Sequence, residues 1–144
     1  MENLSNAVCY AVYDVELKGE NSAFIIHKIC TQDIEKDKET ISCVRLDCTV
    51  QNEHNQEDFT LTFAKTDFKN WLYTFYAIGE GRETQTEVAF QGEKLILTLD
   101  LKTSKAYLNV VNMHEGQEKC AQIVCSKRDL RDFHARISRL VNVM

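Results

Sequence analysis

Apolar and polar residues alternate along most of this chain, and twice the period lengthens from two to that of a helix. Val8, Tyr10, Val12, Val15 and Leu17 give a β-rich run over residues 8–17, and Lys18-Gly19-Glu20-Asn21 supplies the turn that reverses it. Phe24, Ile25, Ile26 and Ile29 mark the returning strand over 23–30. Residues 31–38 alternate acid and base and read as a charged connection. A third strand follows over 40–50, then a polar turn at 52–57 and a half-buried strand carrying Phe59, Leu61 and Phe63. The period then changes. Phe68, Trp71, Leu72, Phe75 and Ile78 fall at i, i+3, i+4, i+7 and i+10, the stripe of an amphipathic helix. Thr66 or Asp67 can cap its start, and Gly79 with Gly81 can end it. Four more strands follow over 84–90, 95–101, 106–113 and 120–125. Their turns lie at Gln91-Gly92-Glu93, Thr103-Ser104 and Gly116. A second helix closes the chain, with the stripe Leu130, Phe133, Ile137, Leu140 and Val141. Ser126 suits its N-cap and Asp129 the third position, a variant capping box.

Hairpin-length connections between successive strands imply antiparallel pairing. The predicted fold is therefore α+β, a mainly antiparallel β-sheet of about 7–8 strands with two amphipathic helices packed on one face. Residues 1–144 form one globular domain on this reading. Neither helix is long enough to persist alone, so Trp71, Phe75, Phe133 and Ile137 must pack on the sheet. One internal similarity stands out. Lys65-Thr66-Asp67-Phe68, with Trp71 and Phe75, matches Lys127-Arg128-Asp129-Leu130, with Phe133 and Ile137. A duplication would produce it, and so would two independently capped helices, which is the simpler explanation.

Composition narrows the class. Hydrophobic residues make up 44% and charged residues 27%, which is too apolar for a disordered chain, and there is no proline to mark a linker. No apolar stretch is long enough to span a bilayer. Residues 1–6 are acidic and lack the basic and apolar regions of a secretory leader. A cytoplasmic, non-membrane protein is expected, and with it six reduced structural thiols at Cys9, Cys30, Cys43, Cys48, Cys120 and Cys125.

No catalytic template is present: no G-x-S-x-G, no phosphate-binding G-x-x-x-x-G-K-[ST], no G-x-G-x-x-G and no H-E-x-x-H. The four histidines, His27, His54, His114 and His134, are scattered. A thiol–imidazole pair such as Cys30 with His54 would have to assemble in space. Asp33, Glu35, Asp37 and Glu39 alternate without the glycine a calcium loop needs. The chain is expected to be no enzyme and to hold no cofactor or metal.

Charge is divided unevenly. Residues 1–65 carry 12 acids and 6 bases, net −6, while 66–144 carry 10 acids and 11 bases, net +1. Residues 126–144 alone carry Lys127, Arg128, Arg131, Arg136 and Arg139 against Asp129 and Asp132. With an overall charge of −5 and its aromatic residues on apolar stripes, the chain does not suit nucleic acid. An acidic half suits a basic protein partner.

From Phe59 onward the layout resembles the WapI-like small immunity proteins of bacterial polymorphic and contact-dependent toxin systems. The likeness rests on the alternating strand and on Asp67, Phe68, Trp71 and Leu72 at a helix start. Gly79, the meander, and Asp129, Leu130 and Phe133 of the closing helix complete it. It covers about residues 59–144. It implies a non-enzymatic inhibitor that neutralises a cognate basic, nuclease-like toxin domain by one-to-one binding. The contacts it implies are Asp33, Glu35, Asp37, Glu39, Asp47, Glu53, Glu57 and Asp58. Two other classes fit the same chain. One is a phage-encoded or host regulatory inhibitor or adaptor subunit of a larger assembly, docking an acidic neighbour through Arg131, Arg136 and Arg139. The other is a small-ligand-binding domain, which would need a polar pocket.

Overall fold

The alternating runs become β1 (Val8–Lys18), β2 (Ser22–Lys36), β3 (Glu39–Asn52) and β4 (Gln56–Ala64), followed by α1 (Lys65–Gly79). The same order then repeats as β5 (Gln85–Phe90), β6 (Glu93–Asp100), β7 (Lys105–His114), β8 (Gln117–Ser126) and α2 (Lys127–Val141). The computed structural model describes residues 8–142, so the segment considered above as a leader lies outside it. The side chains of Tyr10, Ala11, Val12, Tyr13 and His114 are also outside the description.

The class is α+β with every strand pair antiparallel, as expected, but the strands divide into two sheets of four, β1–β4 and β5–β8. The helix between β4 and β5 makes the division. The internal similarity gains a structural counterpart, because Lys65 and Lys127 each open a 15-residue helix that follows the fourth strand of its sheet. Their starts differ. Ser126 Oγ accepts from the Asp129 amide at 3.1 Å and the Asp129 carboxylate accepts from the Ser126 amide at 2.9 Å, the predicted capping box. At α1 the N-cap is Ala64, which has no side chain to offer, so neither Thr66 nor Asp67 caps that helix.

The two units interlock. α1 lies against α2 and against β3, β4, β5 and β6, while α2 crosses back onto β1 and also meets β8. One continuous buried cluster runs from Leu17, Phe24 and Leu46 of the first sheet, through both helices, to Leu97, Leu108 and Ile123 of the second. Within it, six rings form an arc: Phe24, Phe133, Phe75, Trp71, Phe68 and Phe63, with successive centroids 6.2, 5.6, 5.3, 5.9 and 6.1 Å apart. The arc starts on β2, passes through α2 and then α1, and returns to β4.

Side chains of the second sheet also close the free edge of β4. Lys119 donates to the Asp58 carbonyl, Asn112 to the Thr60 carbonyl at 3.2 Å, and the Thr62 amide to Glu93 at 2.6 Å. At the opposite junction the Glu20 amide bonds the Val124 carbonyl at 2.7 Å. The chain there is so close that a Cβ on Gly19 would collide with that same oxygen.

One expectation is overturned in the first sheet. Cys9 and Cys30 are directly opposite in the β1–β2 register, with Cα atoms 4.1 Å apart, and are joined by a disulfide. They are 21 residues apart in sequence, and only the antiparallel return of β2 brings them together. Cys48, Cys120 and Cys125 are free thiols, and of these only Cys120 is exposed; Cys43 is buried.

Two outcomes follow. Phe75→Ala removes one of the two middle rings of the arc from a fully buried site, and should cost about 3–5 kcal/mol in urea unfolding. Reductant, or Cys9→Ser, should lower stability by about 3 kcal/mol, the chain-entropy value for a loop of this length. Denaturation with and without dithiothreitol checks the second, and identical curves would count against a bridge in solution.

Candidate functional site

Residues 31–38, expected as a connection, are the end of a long hairpin. β2 runs on to Lys36, pairs with Glu39 of β3, and turns through Asp37 and Lys38 alone. Both turn residues have positive φ, 52° and 66°, the signature of the tight turn that matches strand twist. Neither is glycine, so composition gave no sign of it. Asp33, Glu35, Asp37 and Glu39 all lie on this tip and are exposed. None of the four has an ion pair or side-chain hydrogen bond among the described residues. Lys36 is drawn aside, its ammonium 5.6 Å from the Phe90 ring centre.

The other four expected contacts lie elsewhere. Asp47 lies eight positions along β3 from Glu39, about 26 Å of extended chain. Asp47 faces Arg45 at 3.7 Å and accepts from Thr60 Oγ1 at 3.3 Å. Glu57 pairs with Lys119 at 3.1 Å, and that lysine also covers the Phe59 ring. Glu53 sits in the β3–β4 turn, 4.0 Å from His54. The eight carboxylates therefore form two groups, one free at the hairpin tip and one engaged with the protein itself.

Asp58 belongs to a network absent from the sequence reading. His27 Nδ1 lies 2.9 Å from Asp14 Oδ1, His27 Nε2 lies 2.8 Å from Thr49 Oγ1, and the Thr49 hydroxyl donates to Asp58 Oδ1 at 2.7 Å. Each strand of the first sheet contributes one member. His27 occupies the register irregularity between Ile26 and Lys28, which points its ring along this polar row. The only sequence sign was the pair His27-Lys28 interrupting an apolar run. An acid, an imidazole and a hydroxyl in series have the connectivity of a nucleophilic triad. Here, however, the hydroxyl proton is directed at Asp58, and Thr49 is 3% exposed, leaving a substrate carbonyl no approach. The network clasps four strands together.

The suggested Cys30–His54 pair does not form: Cys30 is disulfide-bonded and His54 is on a turn at the far end of the sheet. Burial also quiets the free thiols. It pushes Cys125 up to about 12, with help from Asp129 and Glu20, and pushes Cys48 up further. Neither is a thiolate near neutral pH. No group of three or more His, Cys, Asp or Glu among the described residues is placed to hold a metal. No helix among them is long and apolar enough to cross a membrane.

The remaining surface feature is the seam between the helices. Tyr73 is 76% exposed, and Tyr76 packs on His134 with centroids 5.0 Å apart. Lys69, Leu72, Tyr73 and His134 border a cavity of about 450 Å³ there. Of the arginines considered for an alternative docking surface, Arg131 is occupied in capping α1, donating to the Gly79 carbonyl at 3.1 Å. Arg136 and Arg139 remain exposed.

His134 is half-buried, and burial lowers its pKa below the usual 6.5. Its proton is therefore bound more weakly in the folded chain than in the unfolded one. Its contribution to stability is complete above the unfolded value and is lost as pH falls from there through the folded value. An NMR titration should place the His134 midpoint below 6.5. His134→Phe should make stability less sensitive to acidification over that range.

No family model and no curated protein matches the chain. Among solved structures, it is similar to the MRP1/MRP2 proteins of Trypanosoma brucei, with a TM-score of 0.53 at 11% identity, covering 92% of this chain and 80% of that one. It is also similar to the plant transcriptional regulator PBF-2, with a TM-score of 0.51 at 13% identity, covering 94% and 80% respectively. What the chain shares with both is the fold.

Proposed function

We propose that this protein is a non-enzymatic inhibitor that binds a basic protein partner one-to-one through the acidic end of its first sheet, as an immunity protein binds its toxin. The observation that carries this is the β2–β3 tip, where Asp33, Glu35, Asp37 and Glu39 are exposed on and beside a two-residue turn. Carboxylates left without internal partners have no ion pair to break on meeting a cation-rich surface. They also attract it from a distance. Glu53 lies at the other end of the sheet. Asp47, Glu57 and Asp58 are already spent on Arg45, Lys119 and Thr49, so they position the surface instead of making the contact. The proposed setting is the cytoplasm, where the glutathione pool would favour the dithiol form of Cys9 and Cys30. Neither of those side chains belongs to the acidic tip.

A second reading draws on the shared fold: a plant transcriptional regulator has it, which suits a regulatory role at nucleic acid. The net charge of −5 weighs against this.

With the partner captured from the native host, association kinetics test the proposal. Reversing Asp33, Glu35 and Asp37 together to lysine should slow association about tenfold or more at low salt. The difference should shrink toward physiological salt, where charges are screened beyond about 8 Å. An unchanged rate, with slowing instead on reversal of Arg136 and Arg139, would move the interface to α2 and the partner to the acidic class. Tight binding of DNA or RNA oligonucleotides would favour the second reading.

A further inference from the structure

The cavity of about 450 Å³ between α1 and α2 serves none of the roles above. Helical spacing builds it. Lys69, Leu72 and Tyr73 stand at i, i+3 and i+4 on α1, and His134, Ser138 and Val141 at i, i+4 and i+7 on α2. Leu72 and Val141 are buried and give the cavity an apolar wall from each helix. Ser138 between them is half-buried and too small to fill the space. Its hydroxyl reaches the Ala135 carbonyl of its own helix at 3.4 Å, a long contact that a better acceptor can replace. Lys69 is exposed and has no ion pair or hydrogen bond among the described residues. No carboxylate is found among the described residues that line the cavity. A second cation stands near, since Arg82 lies over the Tyr76 ring, 5.9 Å from its centre, and Tyr76 packs on His134.

Two apolar walls, one uncompensated ammonium and a hydroxyl donor in a single cavity select an amphipathic anion. We propose that this cavity binds a small monocarboxylate with an apolar body. The carboxylate lies between the Lys69 ammonium and the Ser138 hydroxyl, and the body lies against Leu72, Val141 and Tyr73. Each part of the cavity excludes a competitor. The ammonium repels an amine, and a wholly apolar molecule leaves it without a counter-charge. A small polar anion such as acetate gains nothing from the apolar walls. The volume falls within the roughly 300–1,000 Å³ of ligand sites, where apolar lining with a few convergent polar groups is the common pattern. This assignment does not depend on the acidic hairpin or on the partner class. Because the ligand touches both helices, its binding also stabilises the packing of α1 on α2.

The probe is 3-phenylpropionate, titrated into the full-length protein and followed by ¹H–¹⁵N NMR and by thermal melting. Backbone amides of Lys69, Tyr73, Ser138 and Asn142 should shift and saturate together, and the melting temperature should rise with probe concentration. The neutral isostere 3-phenylpropionamide should bind about tenfold more weakly, the value of a hydrogen bond to a charged group. Acetate, which keeps the charge and lacks the body, should give no saturable shift. Lys69→Gln should weaken the probe by a similar factor and leave the melting of the free protein unchanged, because Lys69 is exposed. Ser138→Leu fills the space, so the chain should still melt cooperatively and lose saturable binding. Shifts that do not saturate, or that gather away from the two helices, would overturn the assignment. So would equal binding of the amide or of acetate, indifference to Lys69→Gln, or full affinity in a folded Ser138→Leu variant.

Discussion

The aromatic arc is the contact on which the rest of the molecule depends. Helices of 15 residues are marginal on their own, and here each is held by rings it shares with the other and with the first sheet. Phe75 touches both Trp71 of its own helix and Phe133 of the other. The ends of the arc, Phe24 and Phe63, lie on β2 and β4, so the spacing of those strands and the tilt of the helices are set together. The second sheet adds no ring to the arc. Val88, Leu95, Leu97, Leu99, Leu108 and Val110 fill its side with aliphatic groups, which pack around the rings without dictating their orientation.

Interlocking is the second constraint. Had each helix packed only on its own four strands, the chain would have been two small modules with little core apiece. Because α1 reaches β5 and β6 while α2 returns to β1, each unit supplies part of the other's covering layer. The contact of α1 with β5 is accordingly a seam where a helix of one unit meets an edge strand of the other.

Much of the fold was legible from periodicity. The strand segments, both helical stripes and the Ser126–Asp129 box were marked by local pattern, which chain-local physics controls. The division into two sheets was not, because a strand–helix–strand connection is compatible with staying in one sheet or starting another. The tight turn at Asp37-Lys38 was hidden, since turns of this kind are recognised by Gly or Asn and this one forces two ordinary residues into positive φ. The candidate site was half legible. Charge counting found the acidic half, but it could not tell the free carboxylates of the tip from Asp47, Glu57 and Asp58, whose partners come from other strands. The Cys9–Cys30 bridge and the His27 network were invisible for the same reason: each depends on cross-strand register, which sequence spacing does not express.

The closed edge of β4 has a consequence for how this chain behaves in a crowded cell. A bare strand edge invites another chain to add itself as the next strand, the first step toward fibrils and swapped dimers. Many proteins discourage this with proline, and this one has none. Asp58 and Thr60 instead have their outward carbonyls, and Thr62 its outward amide, taken by Lys119, Asn112 and Glu93, so protection at that edge depends on the second sheet being folded and docked. While the chain is being made, β1–β4 emerge first, with the edge open until the last strands arrive. Exposure to misassembly is therefore concentrated in that interval.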